Sequence, residues 1–454
     1  MKAIVRMSLL TVTIAAVLLA GCGPQPTTPP EPTTPPEATE APEPSEAPPP
    51  EEEEVTVVYW SMWNESELQG QVLSQAIEDF QAANPNVTVD VVWNGRENRN
   101  LVLPAIEGGE TIDVFDTGDE WIFANAAQYA LSLEDYLDEP AVGVEGKTVR
   151  ETIIQALLYN FPVDGKAVQM PYQPYAVLWF YNKDIFNEAG VTAEPTTWAE
   201  LRDACQAVVG AGYECITTDV DAYLDILWGY YSERAFGGCQ AGVDAMNDET
   251  GESWREPMWV QMAEAYYGLW EDGYIAAGTE GNLYPAGQQA LALGEVAMYL
   301  NGTWLPTEVM DTAGPDFNWG SFTFPDVEGG AGSRTHVQMG SQDMVIVNTS
   351  EHPHEAWEFI KHVVSPDVQQ AMVEVANVPA VHTDVPWTGN LAEAYNAVAS
   401  ADQAITWGCD VWTSEVSGVV LDAFGQLFVG NITPEEYTEQ LVTETAAFWA
   451  GREE

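Results

Sequence analysis

Basic side chains are scarce in this chain. Lysine and arginine together contribute 14 residues against 71 aspartates and glutamates, which gives a formal net charge of −57 at pH 7. Proteins bind nucleic acids mainly through lysine and arginine, so this balance argues against a nucleic-acid partner. The same negative field disfavours phosphate and dicarboxylate ligands and favours neutral or cationic ones.

Cysteine is sparse as well, and no zinc-site spacing is present. The chain has five cysteines, and neither C-x-x-C nor H-E-x-x-H occurs in it, so we expect no metal site. Four cysteines follow the first one: Cys205, Cys215, Cys239 and Cys409. They allow two disulfides in three connectivities, and we favour a bond between Cys205 and Cys215. The alternative is that Cys205 stays a buried thiol on the apolar face of a helix.

The start of the chain has the pattern of an export signal. Lys2 and Arg6 precede an apolar run that ends at Ala20, just before Cys22. The run is too short to span a membrane as a helix and is typical of a secretory signal. Its junction with Cys22 resembles a bacterial lipoprotein signal. The resemblance implies removal of residues 1–21 and acylation of Cys22, which would hold the protein at the outer face of the cell membrane.

Residues 22–54 predict a disordered tether. Nearly all of them are proline, threonine, glutamate, alanine or serine, and such a composition cannot bury enough apolar surface to fold. The remaining residues, 55–454, exceed what one hydrophobic core usually organises, so we expect two lobes.

Strand and helix patterns alternate after the tether. Residues 55–60 and 87–93 are rich in β-branched and aromatic side chains and predict strands, with a helix over residues 68–80 between them. A third strand pattern follows at residues 112–115. This alternation predicts an α/β fold with a mostly parallel sheet covered by helices. Ligands bind beyond the carboxyl ends of the strands in such sheets.

A series of motifs runs in order along residues 55–380. The clearest are GETIDVF at 109–115, FYNKDIF at 180–186, PTTWAEL at 195–201 and NGTW at 301–304. Together they resemble the extracellular solute-binding proteins of ABC importers, in the carbohydrate-binding class that includes maltose-binding protein. One departure is Ile112, which stands where this family usually has proline.

The resemblance implies a two-lobed fold of the periplasmic-binding-protein type (type II), in which a hinge closes both lobes on a ligand. By this analogy, the chain crosses between lobes near residues 173–175, 335–339 and 378–380. The N-terminal lobe would comprise residues 55–173 and 339–378. The C-terminal lobe would comprise residues 174–338 and 379–454.

The resemblance also implies which loops of the first lobe hold the ligand. Trp63, Asn64 and Glu65 follow the first strand, and Asp119, Glu120 and Trp121 follow the third. Two of these residues have competing interpretations. Asn64 or Ser66 would equally suit the cap of the next helix, and an acid such as Glu120 is stabilised at any helix start.

Further candidates lie at the crossings and in the second lobe. They are Tyr172, Tyr175, Tyr223, Trp228, Trp304, Arg334, Gly340, Ser341 and Gln342. Trp304 matches a recurrent stacking tryptophan of the family and is the foremost candidate. For Trp228, core packing is the favoured alternative, because large rings serve cores more often than sites. Arg334 would donate hydrogen bonds to ligand hydroxyls.

The resemblance predicts a monomeric binding protein that captures a neutral sugar or oligosaccharide and delivers it to an ABC permease, without a cofactor and without catalysis. Two alternatives stay open. The same clamp would suit a polyamine or another cation, which the negative field attracts. A tethered glycoside hydrolase would need two carboxylates across the scissile bond, and no nucleophile motif accompanies the many acids of this chain.

Overall fold

The computed structural model describes residues 54–452. The predicted signal segment, Cys22 and all but the last residue of the predicted tether lie outside this range. No helix among the described residues is long and apolar enough to cross a membrane.

Nine strands form one mixed sheet in the described part of the chain. They are β1 (Val55–Ser61), β2 (Val87–Trp93), β3 (Val114–Gly118), β4 (Met170–Asn182), β5 (Glu214–Thr217), β6 (Val296–Gly302), β7 (Trp319–Phe322), β8 (His336–Ile346) and β9 (Gln403–Ile405). Their order is β2-β1-β3-β8-β4-β6-β5, with β7 also on β4 and β9 also on β8. The strands predicted at 55–60 and 87–93 are β1 and β2, and the third begins two residues later than predicted.

The long strands β4 and β8 connect the two ends of the sheet. Strand β4 pairs with β8 through residues 170–176 and with β6 and β7 through residues 177–182. Strands β1, β2 and β3 are parallel, as are β5 and β6, whereas β4 and β8 run antiparallel to their neighbours along the path. The predicted first crossing, at residues 173–175, therefore lies inside one continuous strand.

Helices cover the sheet. They are α1 (Leu68–Ala83), α2 (Asn98–Gly108), α3 (Asp119–Trp121), α4 (Val149–Thr152), α5 (Gln155–Leu158), α6 (Lys183–Ala189), α7 (Trp198–Gly210), α8 (Leu224–Phe236), α9 (Gln240–Met246), α10 (Pro257–Glu271), α11 (Ala286–Ala292), α12 (Leu305–Glu308), α13 (Met310–Ala313), α14 (Pro353–Val363), α15 (Pro366–Glu374), α16 (Ala392–Ala399), α17 (Ser417–Phe428) and α18 (Pro434–Ala450). The irregular Trp407–Thr413 segment, here called the Trp407 segment, follows β9.

Helix boundaries follow local capping chemistry. Thr197 accepts a hydrogen bond from the backbone of Glu200 and forms a capping box at the start of α7, and Thr433 does the same for α18. A capping box satisfies backbone N–H groups that the first helical turn leaves without partners. Both boxes have the Thr-x-x-Glu spacing that is typical of a helix start.

Two large apolar cores lie against the sheet. The first includes residues of β1, α1 and α14, such as Leu73 and Trp357, and the second includes residues of α8, α10 and α17, such as Trp228 and Phe424. A smaller third cluster forms around Phe115 behind β3. Strand β8 contributes to the first core along its whole length, whereas β4 contributes Met170 and Phe180 to the first core and Trp179 to the second.

Candidate functional site

Five aromatic side chains meet near the middle of the sheet. We call Tyr175, Tyr223, Tyr284, Trp304 and Trp407 the aromatic cluster. The Trp304 ring lies 5.6 Å from Tyr175 and 5.9 Å from Trp407, and its plane is tilted by 22° from that of Trp407. Tyr223 lies 6.3 Å from Trp407 and 6.2 Å from Tyr284. The structure therefore brings together Trp304, Tyr175 and Tyr223, which the sequence analysis had singled out.

Two of these rings pack directly against the backbone of a glycine. A Cβ atom on Gly302 would stand 2.3 Å from the Trp304 indole, and one on Gly340 would stand 2.5 Å from the Tyr175 hydroxyl. Neither distance is possible for a real side chain. Glycine at both positions makes room for these rings, and residues 340–342 lie within strand β8.

Hydrogen bonds to two acids hold Trp407 in place. Its indole N–H donates to Oδ2 of Asp225, at the start of α8. Its backbone N–H donates to Oε1 of Glu120 over 2.8 Å. Glu120 follows β3, so this bond joins the turn after β3 to the Trp407 segment.

The backbone around Trp407 is tightly determined. Gly408, Cys409 and Asp410 have φ angles of 58°, 52° and 64°, a left-handed run that costs energy in residues other than glycine. Cys409 is bonded to Cys239, and a Cβ on Gly229 of α8 would stand 2.3 Å from the Gly408 carbonyl carbon. The surrounding structure thus fixes a conformation that the segment would not favour alone.

Buried acids border the aromatic cluster. Oδ2 of Asp119 accepts hydrogen bonds from the Ser341 backbone over 3.1 Å and from Asn160 over 3.2 Å. Both carboxylate oxygens of Asp343 are buried without a hydrogen-bond partner among the described residues. Arg99, which donates to Thr117 over 3.0 Å, is the basic group nearby.

Burial shifts the titration of these acids. It raises the pKa of Asp119, and the neighbouring Glu120 charge adds to the effect. Burial also raises the pKa of Asp343 well above its ordinary value, with a further contribution from Asp119. The pKa values of Glu120 and Asp225 are raised by burial too. A carboxyl group of this kind accepts hydrogen bonds when ionised and donates one when protonated.

Unpaired amide oxygens add acceptors beside the acids. Oε1 of Gln173 and Oε1 of Gln342 lack a hydrogen-bond partner in the described structure, and these residues face each other across β4 and β8. The Ser341 hydroxyl is buried and unpaired as well. The region offers flat aromatic faces together with several hydrogen-bonding groups, which suits a ligand with apolar faces and many hydroxyls.

The first predicted loop has different surroundings. The indole N–H of Trp63 donates to the Tyr172 hydroxyl over 2.6 Å, and Tyr172 donates to Asp116. Arg96 lies 4.4 Å over the Trp63 ring. Tyr172 is fully buried and Trp63 is 5% exposed. The structure therefore places both in an internal hydrogen-bonded group and not among the rings of the aromatic cluster.

The other candidates of the first lobe lie at the surface or at its edge. Asn64 and Glu65 are exposed. Asn64 donates to Glu67, which holds the N-cap position of α1 without a side-chain cap bond. The capping role considered for Asn64 or Ser66 is therefore not what the structure shows. Trp121 is half-buried in α3 and packs on the third core.

Two candidates of the second half lie away from the aromatic cluster. Trp228 is fully buried and stacks on Trp259 at 5.5 Å, so it is a core residue, which was the favoured alternative. Arg334 borders a separate cavity of about 430 Å³ together with Glu194 and Glu393. The structure does not bring either one to Trp304.

Sequence reasoning missed Trp407, Tyr284, Asp225 and Asp343. Trp407 precedes a glycine after a short strand, much as Trp304 follows Gly302 at the end of β6. This local similarity is the signal that would have found it. No local sequence pattern marks Asp225 or Asp343. Asp225 matters because the Trp407 indole lies beside it, and Asp343 because it is buried beside another carboxylate.

Two disulfides join the four cysteines of the described range. Cys205 is bonded to Cys215, the pairing favoured from the sequence, and Cys239 is bonded to Cys409. Within residues 54–452, no three histidine, cysteine, aspartate or glutamate side chains are grouped to hold a metal ion.

Comparison with known proteins adds sequence relatives. A putative binding protein of Brucella abortus (strain 2308) is 24% identical over 310 residues, which cover 66% of this chain and 69% of that protein. The sn-glycerol-3-phosphate-binding periplasmic protein UgpB of Salmonella paratyphi A is 26% identical over 167 residues, or 35% of this chain and 37% of UgpB.

Solved structures show the same fold. The apo form of RafE from Streptococcus pneumoniae is 21% identical, with a TM-score of 0.70 over 87% of this chain and 98% of RafE. Maltose-bound MalE3 of T. maritima is 18% identical, with a TM-score of 0.59 over 87% of this chain and all of MalE3. The predicted fold class, a two-lobed type II periplasmic binding protein, is confirmed.

The family model described as "Bacterial extracellular solute-binding protein" matches residues 64–370, which is more than half of the chain. Proteins of this family act in solute transport outside the cytoplasm. The chain belongs to the bacterial extracellular solute-binding proteins, family 1.

Proposed function

We propose that this protein captures a neutral sugar or oligosaccharide by hinge closure and delivers it, as a monomer, to the permease of an ABC importer. The aromatic cluster carries the proposal. Tyr175, Trp304 and Trp407 are half-buried, so each ring is positioned by its neighbours while part of its surface stays accessible. Sugar rings present C–H faces that stack on such surfaces, and their hydroxyls pair with nearby acids and amides.

The structural neighbours support this ligand class. Among them are RafE in complex with raffinose, a chitin oligosaccharide binding protein and maltose-bound MalE3. UgpB is named as an sn-glycerol-3-phosphate-binding protein. In the present protein, the net charge of −57 and the acids around the aromatic cluster disfavour an anionic ligand.

A cation is the second candidate ligand. Asp119, Glu120, Asp225 and Asp343 lie around the aromatic rings, with Arg99 as the nearby basic group. Aromatic faces also attract cations. A polyamine would therefore find both charge and stacking partners in this region.

We also propose the lobe boundaries that the resemblance implies, with residues 55–173 and 339–378 in one lobe and residues 174–338 and 379–454 in the other. The lengths of β4 and β8 support hinge crossings inside them. With these boundaries, the hydrogen bond from Trp407 to Glu120 would join the two lobes beside the ligand. We further propose that Cys22 carries the lipid anchor, and Cys22→Ala should release the protein from membranes.

A thermal-shift screen followed by titration calorimetry tests the proposed function. The purified protein is screened against maltose, raffinose, chitobiose, spermidine and glycerol 3-phosphate. We expect a neutral saccharide to raise the melting temperature, since a ligand at a hundred times its Kd adds about 2.7 kcal/mol. If only spermidine raises the melting temperature, the ligand is a cation and not a sugar. Release of shortened glycans on incubation would show a hydrolase instead.

A further inference from the structure

The cavity that Arg334 borders lies between the end of β7 and helix α16. Its volume is about 430 Å³, and its lining includes Ser321 and Thr323 on one side and Glu393 and Asn396 of α16 on another. This volume falls in the range of about 300 to 1,000 Å³ that small-molecule sites occupy. No ring of the aromatic cluster is among the described residues that line it, so the cavity is separate from that cluster.

Arg334 forms no ion pair within residues 54–452, whereas most other lysines and arginines of this range pair with an aspartate or glutamate. Its side chain is exposed, and its backbone N–H donates to Oδ1 of Asp326 over 2.7 Å. The chain has 71 acids and only 14 bases. A guanidinium that none of these acids engages is available to a carboxylate from outside the chain.

Two carboxylates border the same cavity, and they differ in their partners. Glu393 pairs with Lys183 and accepts a hydrogen bond from the Ser321 backbone over 3.3 Å. Glu194 forms no ion pair with a described basic residue. Partial burial raises the pKa of Glu194, Glu393 raises it further, and the charge of Arg334 lowers it. Arg334 and Glu194 therefore lie close enough to influence each other, yet too far apart to pair directly.

A buried hydroxyl on the cavity wall also lacks a partner. Ser321 is 4% exposed, and its Oγ has no hydrogen-bond partner in the described structure. A buried polar group without a partner costs free energy unless a water molecule or a ligand supplies one. Because Ser321 lines the cavity, its hydroxyl is placed to bond with a molecule inside it.

The unpaired charges at this cavity are one positive and one negative, Arg334 and Glu194. A simple anion would pair with Arg334 but meet the charge of Glu194, and a simple cation would meet the opposite difficulty. A zwitterion places each of its ends against the opposite charge. It is also neutral overall, so the net charge of −57 does not repel it.

We propose that this cavity binds a small zwitterion of the amino-acid type, whose carboxylate pairs with the Arg334 guanidinium and whose ammonium pairs with Glu194. The Ser321 hydroxyl supplies a further hydrogen bond. This site goes beyond the proposed capture of a saccharide, because it lies apart from the aromatic cluster and can be occupied independently of it.

Calorimetry with matched small molecules tests the site. The purified protein is titrated with glycine, L-alanine and L-serine. Each amino acid is compared with the same molecule without its ammonium and without its carboxylate; for L-alanine these are propionate and ethylamine. We expect at least one amino acid to bind with a Kd of about 1 mM or tighter, and its two single-charge analogues to bind at least about tenfold more weakly.

Two variants locate the binding site. Arg334→Gln removes the positive charge and keeps a polar side chain, and Glu194→Gln does the same for the negative charge. Each should raise the Kd of the bound amino acid at least about tenfold, because one charge-assisted pair is lost. Melting curves establish that both variants are folded.

Lys166→Gln is the matched control. Lys166 is an exposed basic residue that, like Arg334, forms no ion pair within the described range, but it lies outside the cavity lining. The variant removes the same unit of charge from the surface and should keep the Kd of the wild type. It thereby separates an effect of the site from an effect of the overall charge.

Several results would overturn the zwitterion site. One is a wild type that binds none of the amino acids. Another is an amino acid that binds Arg334→Gln as tightly as the wild type, which would place it elsewhere on the protein. Equal binding of the analogue without the ammonium would show an anion site, and equal binding of the analogue without the carboxylate a cation site. Saccharide binding is measured separately, so each of these results leaves the proposed function standing.

Discussion

Trp63 and Trp407 both follow the end of a strand, but their surroundings are opposite. The Trp63 ring is covered by Arg96 and hydrogen-bonded to Tyr172, so it completes an internal network below β1. The Trp407 ring is hydrogen-bonded to Asp225 and lies beside Trp304 with part of its surface free. A position at a strand end therefore does not by itself make a tryptophan a ligand contact. A ligand can reach the ring only where other side chains leave part of its faces uncovered.

Removing a disulfide is expected to have the largest effect on the surroundings of Trp407. Cys239–Cys409 closes a loop of 170 residues and holds the Trp407 segment, whereas Cys205–Cys215 spans only 10 residues. Replacing each pair by serine should cost about 5 and about 3 kcal/mol of unfolding free energy, respectively, because a longer loop frees more entropy in the unfolded chain. Guanidinium unfolding measures both.

Hydrogen exchange in the same two variants separates stability from positioning. Loss of Cys239–Cys409 should speed amide exchange at residues 403–413, while loss of Cys205–Cys215 should leave that segment unchanged. Equal protection of the segment in both variants would mean that hydrogen bonds to Glu120 and Asp225 hold it without the disulfide.

Removing Trp63 should damage the fold more than the site. Trp63→Ala leaves a cavity in a buried network, and such losses cost about 3 to 5 kcal/mol. We expect a clear fall in the unfolding midpoint, with the Kd of the saccharide found in the screen changed less than threefold. A large loss of affinity in a protein of unchanged stability would place Trp63 in the site after all.

Removing a ring of the aromatic cluster should weaken saccharide binding more than it lowers stability. Trp407→Ala and Trp304→Ala are each expected to weaken saccharide binding by about 2 kcal/mol, as central aromatic contacts do. The melting temperature of the unliganded protein should change little, because both rings are only half-buried. Calorimetry measures the Kd of each variant, and a melting curve on the same sample measures its stability. If a variant is unfolded, the tryptophan that it lacks is a core residue.

The smallest effect is expected at Asp343, and it depends on pH. A carboxyl group with a raised pKa in the folded state binds protons that the unfolded chain has released, so its contribution to stability falls as pH rises through that pKa. Burial raises the pKa of Asp343 in this way. Asp343→Asn should stabilise the protein by about 1 kcal/mol at pH 7.5 and by less at pH 5.

Unfolding curves at both pH values check this, with Asp90→Asn as the control, since Asp90 is an exposed acid on β2. The control should show no comparable difference between the two pH values. If Asp343→Asn destabilises the protein at pH 7.5, the ionised carboxylate makes a favourable interaction that outweighs its burial.

Local patterns predicted much of the fold. Strands β1 and β2 depend on residues a few positions apart, and the structure confirms both predictions. The family resemblance also led to Trp304, whose motif begins at the end of β6, and to Tyr175, which lies at a predicted crossing within β4. Helix and strand formation in these places needs little long-range information.

The remaining part of the site depends on contacts between distant residues. Trp407 meets Glu120 and Asp225 only after β9 has paired with β8, and its backbone takes a left-handed path that Cys239 and Gly229 enforce. The pKa of Asp343 is raised by burial and further by the neighbouring Asp119. None of these relations has a spacing that a single sequence displays.

The bond between Cys239 and Cys409 also links the conformation of the Trp407 segment to the compartment in which the chain folds. Cys409 is translated 170 residues after Cys239, and cytosolic thiols are kept reduced. The indole that follows β9 would therefore gain its covalent support only once the polypeptide has left the cytosol. A copy retained inside the cell would carry the same sequence and the same strands, yet its Trp407 segment would lack this covalent support.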